Sequence, residues 1–220
     1  MPKANTHVAL AGDRNILPGM AVAGRSALER SSGPLVFEIL GTGFTDADKK
    51  KLIASWKHAN TAGVNFHDIK QGDIKNYRST MYLKSKAAYS RYYIGRIPNV
   101  DRLVHIDTDI IVLRDIAEAG TMNLEGHTVA AVRDISVRLQ PEQLRMTDVL
   151  GMKQSADYFN SGFLIIDMKR WRALNAEKTL CDLSVSMFDR LDCQDQDALN
   201  IVFEDDLKPS SNTMFSASWS

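Results

Sequence analysis

Short apolar runs alternate with longer segments of helical spacing along this chain. The short runs predict strands at residues 8–12, 35–40, 64–69, 103–106, 129–132 and 162–166. Helical spacing predicts helices at about 18–29, just after residue 45, and at about 81–94, 141–150 and 171–188. Strands that alternate with helices are typical of an α/β domain with a mainly parallel sheet.

Two local signals support the expected helix starts. Pro18 suits the first turn of a helix, where the N–H that proline lacks would have no helical partner. Thr45 and Asp48 have the spacing of a capping box, and Leu52 and Trp56 follow at helical spacing. We therefore expect one helix to begin near residue 18 and a second just after residue 45.

Aspartates stand at the ends of most of the predicted strands. They are Asp13, Asp68, Asp107 with Asp109, Asp134 and Asp167. In open parallel sheets, ligands bind beyond the carboxyl ends of the strands. The pattern therefore predicts an acidic ligand site along one edge of the sheet.

The two aspartates of Asp107-Thr108-Asp109 are the most specific indication of a ligand site in the chain, because they directly follow an apolar strand. Two carboxylates separated by one residue can converge on one hard divalent cation, Mn²⁺ or Mg²⁺. The alternative is a pair of solvated aspartates in a turn. A buried strand that ends in two like charges favours the metal site, because such charges call for a counter-ion.

Three further motifs carry polar groups that suit a ligand, and each also has a plainer interpretation. The segment 158–162, Tyr-Phe-Asn-Ser-Gly, allows close backbone approach or forms an ordinary turn before a strand. The segment 194–200, Gln-Asp-Gln-Asp-Ala-Leu-Asn, reads sugar hydroxyls or caps a helical turn. Arg91, in Tyr89-Ser90-Arg91, pairs with phosphate or forms a surface salt bridge. None of the five histidines has a metal-ligand spacing, and we assign none of them to the site.

Bulk composition sets broad limits on the class of protein. The 220 residues predict a single domain, 1–220, and equal numbers of basic and acidic residues, 27 each, give no basic excess for nucleic-acid binding. No apolar run reaches the roughly 18 residues of a membrane span. Two cysteines, Cys181 and Cys193, form no disulfide framework, so we expect a reducing, cytoplasmic location.

Taken together, the motifs resemble those of glycosyltransferase family 8 in order and spacing. That family includes bacterial lipopolysaccharide galactosyl- and glucosyltransferases and glycogenin-like enzymes. The resemblance covers residues 7–203, and it rests on five segments: Ala11-Gly12-Asp13 with Asn15, Tyr89-Ser90-Arg91, 105–112, 159–162 and 195–200. It implies a GT-A-like, Rossmann-type fold with a mainly parallel central sheet flanked by helices.

The resemblance also implies a donor, UDP-galactose or UDP-glucose, and a metal, Mn²⁺ or Mg²⁺. The positions that correspond to nucleotide contacts are Ala11, Asp13, Asn15 and Thr108. Asp107 and Asp109 correspond to the metal ligands. Ile16 stands where the family often has an aromatic residue that stacks on uracil.

For the donor sugar, the resemblance implies a second group of contacts. These positions are Asn160, Ser161, Gly162, Asp195 and Gln196, and Arg91 would face the diphosphate. The family retains the anomeric configuration, and Gln196, Asp195 and Arg91 are the candidate catalytic residues. Front-side attack by the acceptor is favoured over a double displacement, because an amide is a feeble nucleophile. The expected acceptor is a glycan, glycolipid or lipopolysaccharide-type carbohydrate, bound by segments 71–86 and 136–154.

The end of the chain departs from the family. Members usually continue to a His-x-x-Gly-x-x-Lys-Pro-Trp-like segment, whose histidine is a third metal ligand, but no histidine follows His127. Lys208-Pro209 is followed by Ser210 instead of tryptophan. Either the C-terminal end is truncated or the protein completes its metal shell with water, and in both cases we expect a more open metal site. Peripheral membrane contact is expected only through a C-terminal tail that is missing.

Two other functions stay open. In a haloacid-dehalogenase-like phosphatase, Asp107 would be the nucleophile and Asp109 the acid, although Ile111 replaces the expected threonine or valine. The other alternative is a UDP-sugar-binding domain with weak or no turnover.

Overall fold

The computed structural model describes residues 4–79, 85–135, 140–154 and 156–210. Its centre is a seven-stranded sheet in the order β3-β2-β1-β4-β6-β5-β7. The strands are β1 (Thr6–Asp13), β2 (Leu35–Thr42), β3 (Thr61–Asp68), β4 (Arg102–Ile106), β5 (Val129–Arg133), β6 (Phe159–Asp167) and β7 (Leu207–Ser210). All six predicted strands are confirmed. β7 was not predicted, because its sequence, Leu-Lys-Pro-Ser, is short and polar.

Among the strands of the described residues, only β6 runs against the others, so the prediction of a mainly parallel sheet is confirmed. β6 pairs antiparallel with both β4 and β5, whereas the remaining pairs are parallel. This reversal places Asp167, at the end of β6, on the opposite edge from Asp107. The expectation that Asp167 joins the acidic edge is therefore wrong, and the start of β6 lies at that edge instead.

Eight α-helices are present in the described residues. They are α1 (Leu17–Arg30), α2 (Asp46–Ser55), α3 (Gln71–Ile74), α4 (Ile116–Gly120), α5 (Gln140–Leu144), α6 (Met168–Ala173), α7 (Ala176–Ser186) and α8 (Asp195–Val202). Pro18 lies in the first turn of α1, and Thr45 and Asp48 form the predicted capping box of α2.

Three helix predictions need correction. The helix expected at 171–188 is two helices, α6 and α7, because Asn175 adopts a left-handed conformation with φ of 50° and breaks the chain between them. Residues 141–150 form the end of α5 followed by a π-helical turn, Arg145–Val149. Of the helix expected at 81–94, residues 81–84 lie outside the described residues, and the remainder belongs to a 3₁₀ helix, Lys86–Arg96.

Two motifs also sit in different elements from those expected. The segment 159–161 was expected as a turn before a strand, but it is the first part of β6. The segment 194–200 was expected to precede a helical turn, but α8 begins at Asp195 and contains its polar groups.

Each face of the sheet is covered by its own apolar cluster. One cluster packs Phe37 and other residues of β1, β2 and β4 against α1, α2 and α4. Phe37 stacks on Trp56 with 4.2 Å between ring centroids, and Trp56 lies so close to Gly24 that a Cβ there would be 2.4 Å from its ring. The other cluster packs Leu40, Leu103 and their neighbours against the 3₁₀ helix, α6, α7 and α8.

The order of the strands creates a crevice between β1 and β4. From β1 the chain proceeds to β2 and β3 on one side, and then returns to place β4 on the other side of β1. Ligands of open α/β sheets bind at such a switch point. Gly19 of α1 lies against the turn that follows β4, where a Cβ would come within 2.6 Å of the carbonyl oxygen of Thr108. The crevice therefore has a tightly packed floor beside Asp107.

Among the described residues, no helix combines the length and the apolar character that crossing a membrane requires. Cys181 and Cys193, both within those residues, are free thiols.

Candidate active site

The end of β4 brings His105 and Asp107 to the same face of the strand, because alternate residues of a strand point the same way. Nε2 of His105 lies 3.3 Å from Oδ1 of Asp107. The backbone N–H of Asp107 donates to the carbonyl oxygen of Gly162 at 2.8 Å, which fixes β4 against the start of β6. The Asp107 side chain keeps 27% of its surface exposed, so its carboxylate remains accessible from the crevice.

Arg91 joins the site from the 3₁₀ helix. Its side chain is 8% exposed, and besides a local hydrogen bond from Nε to the carbonyl oxygen of Ala88 at 3.3 Å it makes three long-range contacts. Nη2 donates to Oδ1 of Asp107 at 2.6 Å, Nη1 donates to the carbonyl oxygen of Ser161 at 2.9 Å, and Nε lies 2.8 Å from Oδ2 of Asp195. One buried arginine thus ties β4, β6 and α8 together, and the plainer interpretation of Arg91 as part of a surface salt bridge is wrong.

The two aspartates of the pair have opposite electrostatic environments. Burial acts to raise the pKa of Asp107, but the charge of Arg91 and the contact with His105 outweigh it and hold this pKa below its ordinary value. Loss of hydration and the charge of Asp107 raise the pKa of Asp109. Two carboxylates that repel each other at a crevice are best satisfied by a cation between them.

Burial and the nearby Arg91 lower the pKa of His105, so this imidazole stays neutral. Nε2–H then donates to Asp107, and Nδ1 is buried with no hydrogen-bond partner among the described residues. His105 acts on the carboxylate as a neutral hydrogen-bond donor.

Gln196 lies in the first turn of α8 and is held at both ends of its amide. Oε1 accepts from the backbone N–H of Ser161 at 3.0 Å, and Nε2 donates to Oδ2 of Asp134 at 3.0 Å. Asp195 beside it is 4% exposed, and its pKa is raised, mainly by burial and also by the charge of Asp107, against the opposing effect of Arg91.

Gly162 leaves open the space beside the Asp107 carboxylate. A Cβ at this position would lie 2.9 Å from Oδ1 of Asn160 and 3.2 Å from Oδ2 of Asp107. Oδ1 of Asn160 also accepts from the N–H of Gly162 at 2.9 Å. A side chain at this position would therefore crowd both groups, and the space that the glycine leaves would suit an ion or a polar ligand group next to Asp107.

The predicted nucleotide residues lie at the neighbouring strand end. Asp13 ends β1, where its Oδ1 accepts from the N–H of Asn15 at 2.8 Å and its Oδ2 accepts from Oγ of Ser85 at 2.6 Å. Ala11 is buried and Asn15 is exposed. Ile16 packs so closely over Gly12 that a Cβ added to Gly12 would be 1.9 Å from Cδ1 of Ile16. Thr108 follows β4 and contacts Gly19 as described above.

No individual role was predicted for two groups at this site, His105 and Arg145. His105 contacts Asp107, and Arg145 contacts Asp197 of the motif 194–200. For His105 a signal was present, because it is two residues from Asp107 on a strand. Asp134, predicted at the acidic edge, contacts Gln196, as do Tyr158 and Asn200 of the predicted motifs.

The donor set suits a hard cation, since carboxylates are the ligands that Mn²⁺ and Mg²⁺ accept. Within the described ranges, no group of three or more His, Cys, Asp or Glu side chains is arranged to hold a metal. Asp107 lies beside the space left by Gly162, and Asp109 follows two residues later, so their role as metal ligands stays a prediction.

This fold and site are typical of nucleotide-binding α/β proteins, whose ligands lie at the switch point of the sheet. Residues 7–215 match the family model for glycosyl transferase family 8. The chain therefore belongs to glycosyltransferase family 8, as its motifs indicate.

Curated relatives support the same assignment. A putative glycosyltransferase of Haemophilus influenzae is 24% identical over 94% of this chain and 62% of its own length. The lipopolysaccharide 1,2-glucosyltransferase of Escherichia coli is 25% identical over 90% of this chain and 58% of its own length. The chain thus spans less than two thirds of these relatives.

A solved structure shows the same fold. The crystal structure of the galactosyltransferase LgtC in complex with donor and acceptor sugar analogues matches with a TM-score of 0.86 and 23% identity. The match covers 94% of this chain and 74% of that one. The protein therefore has the GT-A fold, and the predicted fold class is confirmed.

Proposed function

We propose that this protein is a metal-dependent glycosyltransferase that transfers a hexose from a UDP-sugar to a carbohydrate or glycolipid acceptor. The observation that carries the proposal is the position of Arg91. It contacts the candidate metal ligand Asp107, the candidate sugar-binding residues Ser161 and Asp195, and thereby joins three distant segments at the switch point.

The nucleotide would lie over the ends of β1 and β4. Ala11, Asp13 and Asn15 would contact the uridine, and Thr108 would lie beside the ribose. Asp13 is already oriented by Ser85, so its carboxylate presents a fixed acceptor. Ile16 would offer an aliphatic surface to the base in place of an aromatic ring.

Asp107 and Asp109 would hold Mn²⁺ or Mg²⁺ beside Gly162. A bound divalent cation would neutralise negative charge on the diphosphate leaving group. Arg91 adds a fixed positive charge on the same side, where the leaving group gains negative charge. Its ties to Asp107 and Asp195 keep that charge in place without reorganisation during the reaction.

Asn160, Ser161, Gly162, Asp195 and Gln196 would line the donor sugar. Both ends of the Gln196 amide already form hydrogen bonds, which favours a positioning role over attack on the anomeric carbon. We therefore favour retention by front-side attack, in which the acceptor hydroxyl and the departing UDP share one face of the sugar.

The particular donor is proposed as UDP-galactose or UDP-glucose, in line with the galactosyl- and glucosyltransferase names among the similar proteins. We place the acceptor against segments 71–86 and 136–154, of which residues 80–84 and 136–139 lie outside the described residues. The free cysteines fit the cytoplasmic location that the sequence predicts. Family membership removes the phosphatase alternative.

Thermal unfolding with UDP and MnCl₂, alone and together, tests the proposal. Ligand at about 100 times its dissociation constant adds about 2.7 kcal/mol, which is a Tm increase of about 5–10 °C at this chain length. We expect the full increase only with both components, and loss of it in Asp107→Asn. Asp182→Asn is the matched control. Asp182 is an exposed carboxylate that pairs with Lys178 on α7, a helix that carries none of the candidate site residues.

Turnover then separates the two functional candidates. Release of UDP from UDP-galactose or UDP-glucose, accelerated by a sugar acceptor, would support the transferase. A Tm increase without UDP release from either donor would favour a binding domain, and the absence of any increase would contradict the proposed site.

A further inference from the structure

Asp197 is a second buried carboxylate of α8, and the roles proposed above leave it unused. It has no exposed surface, yet both of its oxygens have partners. Oδ1 accepts from Nη2 of Arg145 at 3.0 Å and from the hydroxyl of Tyr158 at 2.5 Å. Oδ2 accepts from Nη1 of Arg145 at 3.0 Å and from the N–H of Cys193 at 2.8 Å. A two-pronged pair of this kind fixes orientation as well as charge.

The contacts continue from Asp197 to Gln196. Nε2 of Gln196 lies 3.4 Å from the hydroxyl of Tyr158 and 3.0 Å from Oδ2 of Asp134. Because the Tyr158 proton is directed to Asp197, the Tyr158 oxygen is available to accept from Nε2. This arrangement turns the amide so that its oxygen, Oε1, faces the N–H of Ser161 on β6.

Arg145 approaches Asp197 from outside the nucleotide-binding part of the sheet. It begins the π-helical turn Arg145–Val149, which follows α5. Turns of this type are rare and occur frequently at functional sites. The guanidinium lies 5.9 Å from the ring centroid of Tyr158, and Nε also donates to Glu142 at 2.9 Å.

Removal of Arg145 would leave a buried negative charge beside Tyr158. That charge must then be hydrated, be protonated or move. Each outcome changes the proton arrangement at the Tyr158 hydroxyl and therefore the partners of Nε2 of Gln196. Buried polar groups of this kind act as a network, so one deletion affects the geometry of all its members.

We propose that Arg145 is a positioning residue for sugar transfer, which holds the Gln196 amide in its working orientation through Asp197 and Tyr158. The inference rests on the proposed function, in which Gln196 contacts the donor sugar. Through the pair of Arg145 with Asp197, it also links residues 140–154, the described part of the segment expected to bind the acceptor, to the donor-sugar contacts.

Kinetics of Arg145→Gln, Arg145→Lys and Tyr158→Phe test this role. A misplacement of about 1 Å can cost about 100-fold in rate. For Arg145→Gln we expect kcat to fall about 10- to 100-fold, with KM for the UDP-sugar within about threefold, because the loss acts on the transition state. Arg145→Lys should recover part of kcat, and Tyr158→Phe should lower kcat while leaving the ion pair in place.

Arg96→Gln is the matched control. Arg96 also forms a two-pronged contact with a carboxylate, from Nη2 to Oε1 and from Nε to Oε2 of Glu177, but on an exposed surface of the molecule. We expect its kcat and KM to stay at wild-type values. Wild-type kcat in folded Arg145→Gln or in Tyr158→Phe would overturn the proposal, as would a loss of kcat in Arg96→Gln equal to that in Arg145→Gln.

A measurement independent of turnover separates this inference from the proposed function. The side-chain NH₂ resonances of Gln196, assigned with Gln196→Leu, should shift or broaden in Arg145→Gln and stay unchanged in Arg96→Gln. Unchanged resonances in Arg145→Gln would overturn the positioning role. Shifted resonances in a protein with no UDP-sugar turnover would support the network and contradict the proposed function.

Discussion

Glu38 is a buried carboxylate on β2 whose charge we expect to stabilise the fold, and its removal tests the electrostatics of the sheet. It is 1% exposed and lies between histidines of the two neighbouring strands. Its Oε1 lies 2.8 Å from Nδ1 of His7, its Oε2 lies 2.7 Å from Nε2 of His67, and Asn65 donates to both oxygens at 3.1 and 3.2 Å.

The size of the effect follows from the pKa of Glu38. Burial acts to raise this pKa, but the hydrogen bonds from His67, His7 and Asn65 outweigh it and lower the pKa from 4.5 to about 2. At 1.36 kcal/mol per pKa unit, the shift corresponds to about 3 kcal/mol of stability. Because the pKa is lower in the folded protein, this contribution is complete above pH 4.5 and is lost as the pH falls toward 2.

We therefore expect Glu38→Gln to lose about 3 kcal/mol in the free energy of unfolding at pH 7. The difference from wild type should shrink by about 2 kcal/mol between pH 7 and pH 3, because the wild-type carboxylate becomes protonated in the unfolded chain but stays mostly ionised in the folded protein. Urea unfolding at a series of pH values measures both quantities. Glu29→Gln is the control, because Glu29 is an exposed carboxylate paired with Arg25 and should show little effect at any pH.

Two results would refute the reasoning. A Glu38→Gln protein as stable as wild type at pH 7 would mean that the hydrogen bonds only compensate the cost of burial. A difference between the two proteins that is constant from pH 7 to pH 3 would mean that the ionised form of Glu38 has no preferential stabilisation.

Three further substitutions test the candidate site and the capping box of α2. Arg91→Gln leaves buried carboxylates without their shared cation, so urea unfolding should show a loss of about 3–5 kcal/mol, and a loss below about 1 kcal/mol would contradict it. Gly162→Ala places a methyl group 3.2 Å from Asp107 and should abolish most of the Tm increase with UDP and Mn²⁺. Gly72→Ala, which meets nothing within 4 Å, should keep that increase. Thr45→Ala removes one half of the capping box and should lower stability by about 1 kcal/mol, seen as a Tm decrease of about 2–4 °C.

Local patterns predicted the elements well where one local interaction decides the structure. The apolar runs at 8–12 and 35–40 became central strands, and the capping box at Thr45 set the start of α2. The direction of β6 could not be predicted in this way, because an apolar run has the same pattern in a parallel and an antiparallel strand. The break at Asn175 was equally invisible, since helical spacing continues on both sides of it.

The site was predictable in part for a related reason. Asp107 and Asp109 are neighbours along the chain, so their joint chemistry is readable from the sequence. The contacts of Arg91 with Ser161 and Asp195 span separations of 70 residues and more, and they exist only once the sheet has formed. Asp134 was predicted at the acidic edge but Arg145 belongs to no recognisable motif, and only folding brings Asp134 to Gln196 and Arg145 to Asp197.

The reversal of β6 has a consequence for how such a protein can diversify. β5 ends at Arg133 and β6 begins opposite it at Phe159, so the connection between them leaves and re-enters the sheet on the catalytic side. Insertions or exchanges in this connection leave β1, β2 and β3 untouched. Under the proposed function, a graft of the corresponding connection from a relative would therefore test acceptor preference, provided that Asp134, Arg145 and Tyr158 are kept for their contacts with Gln196 and Asp197.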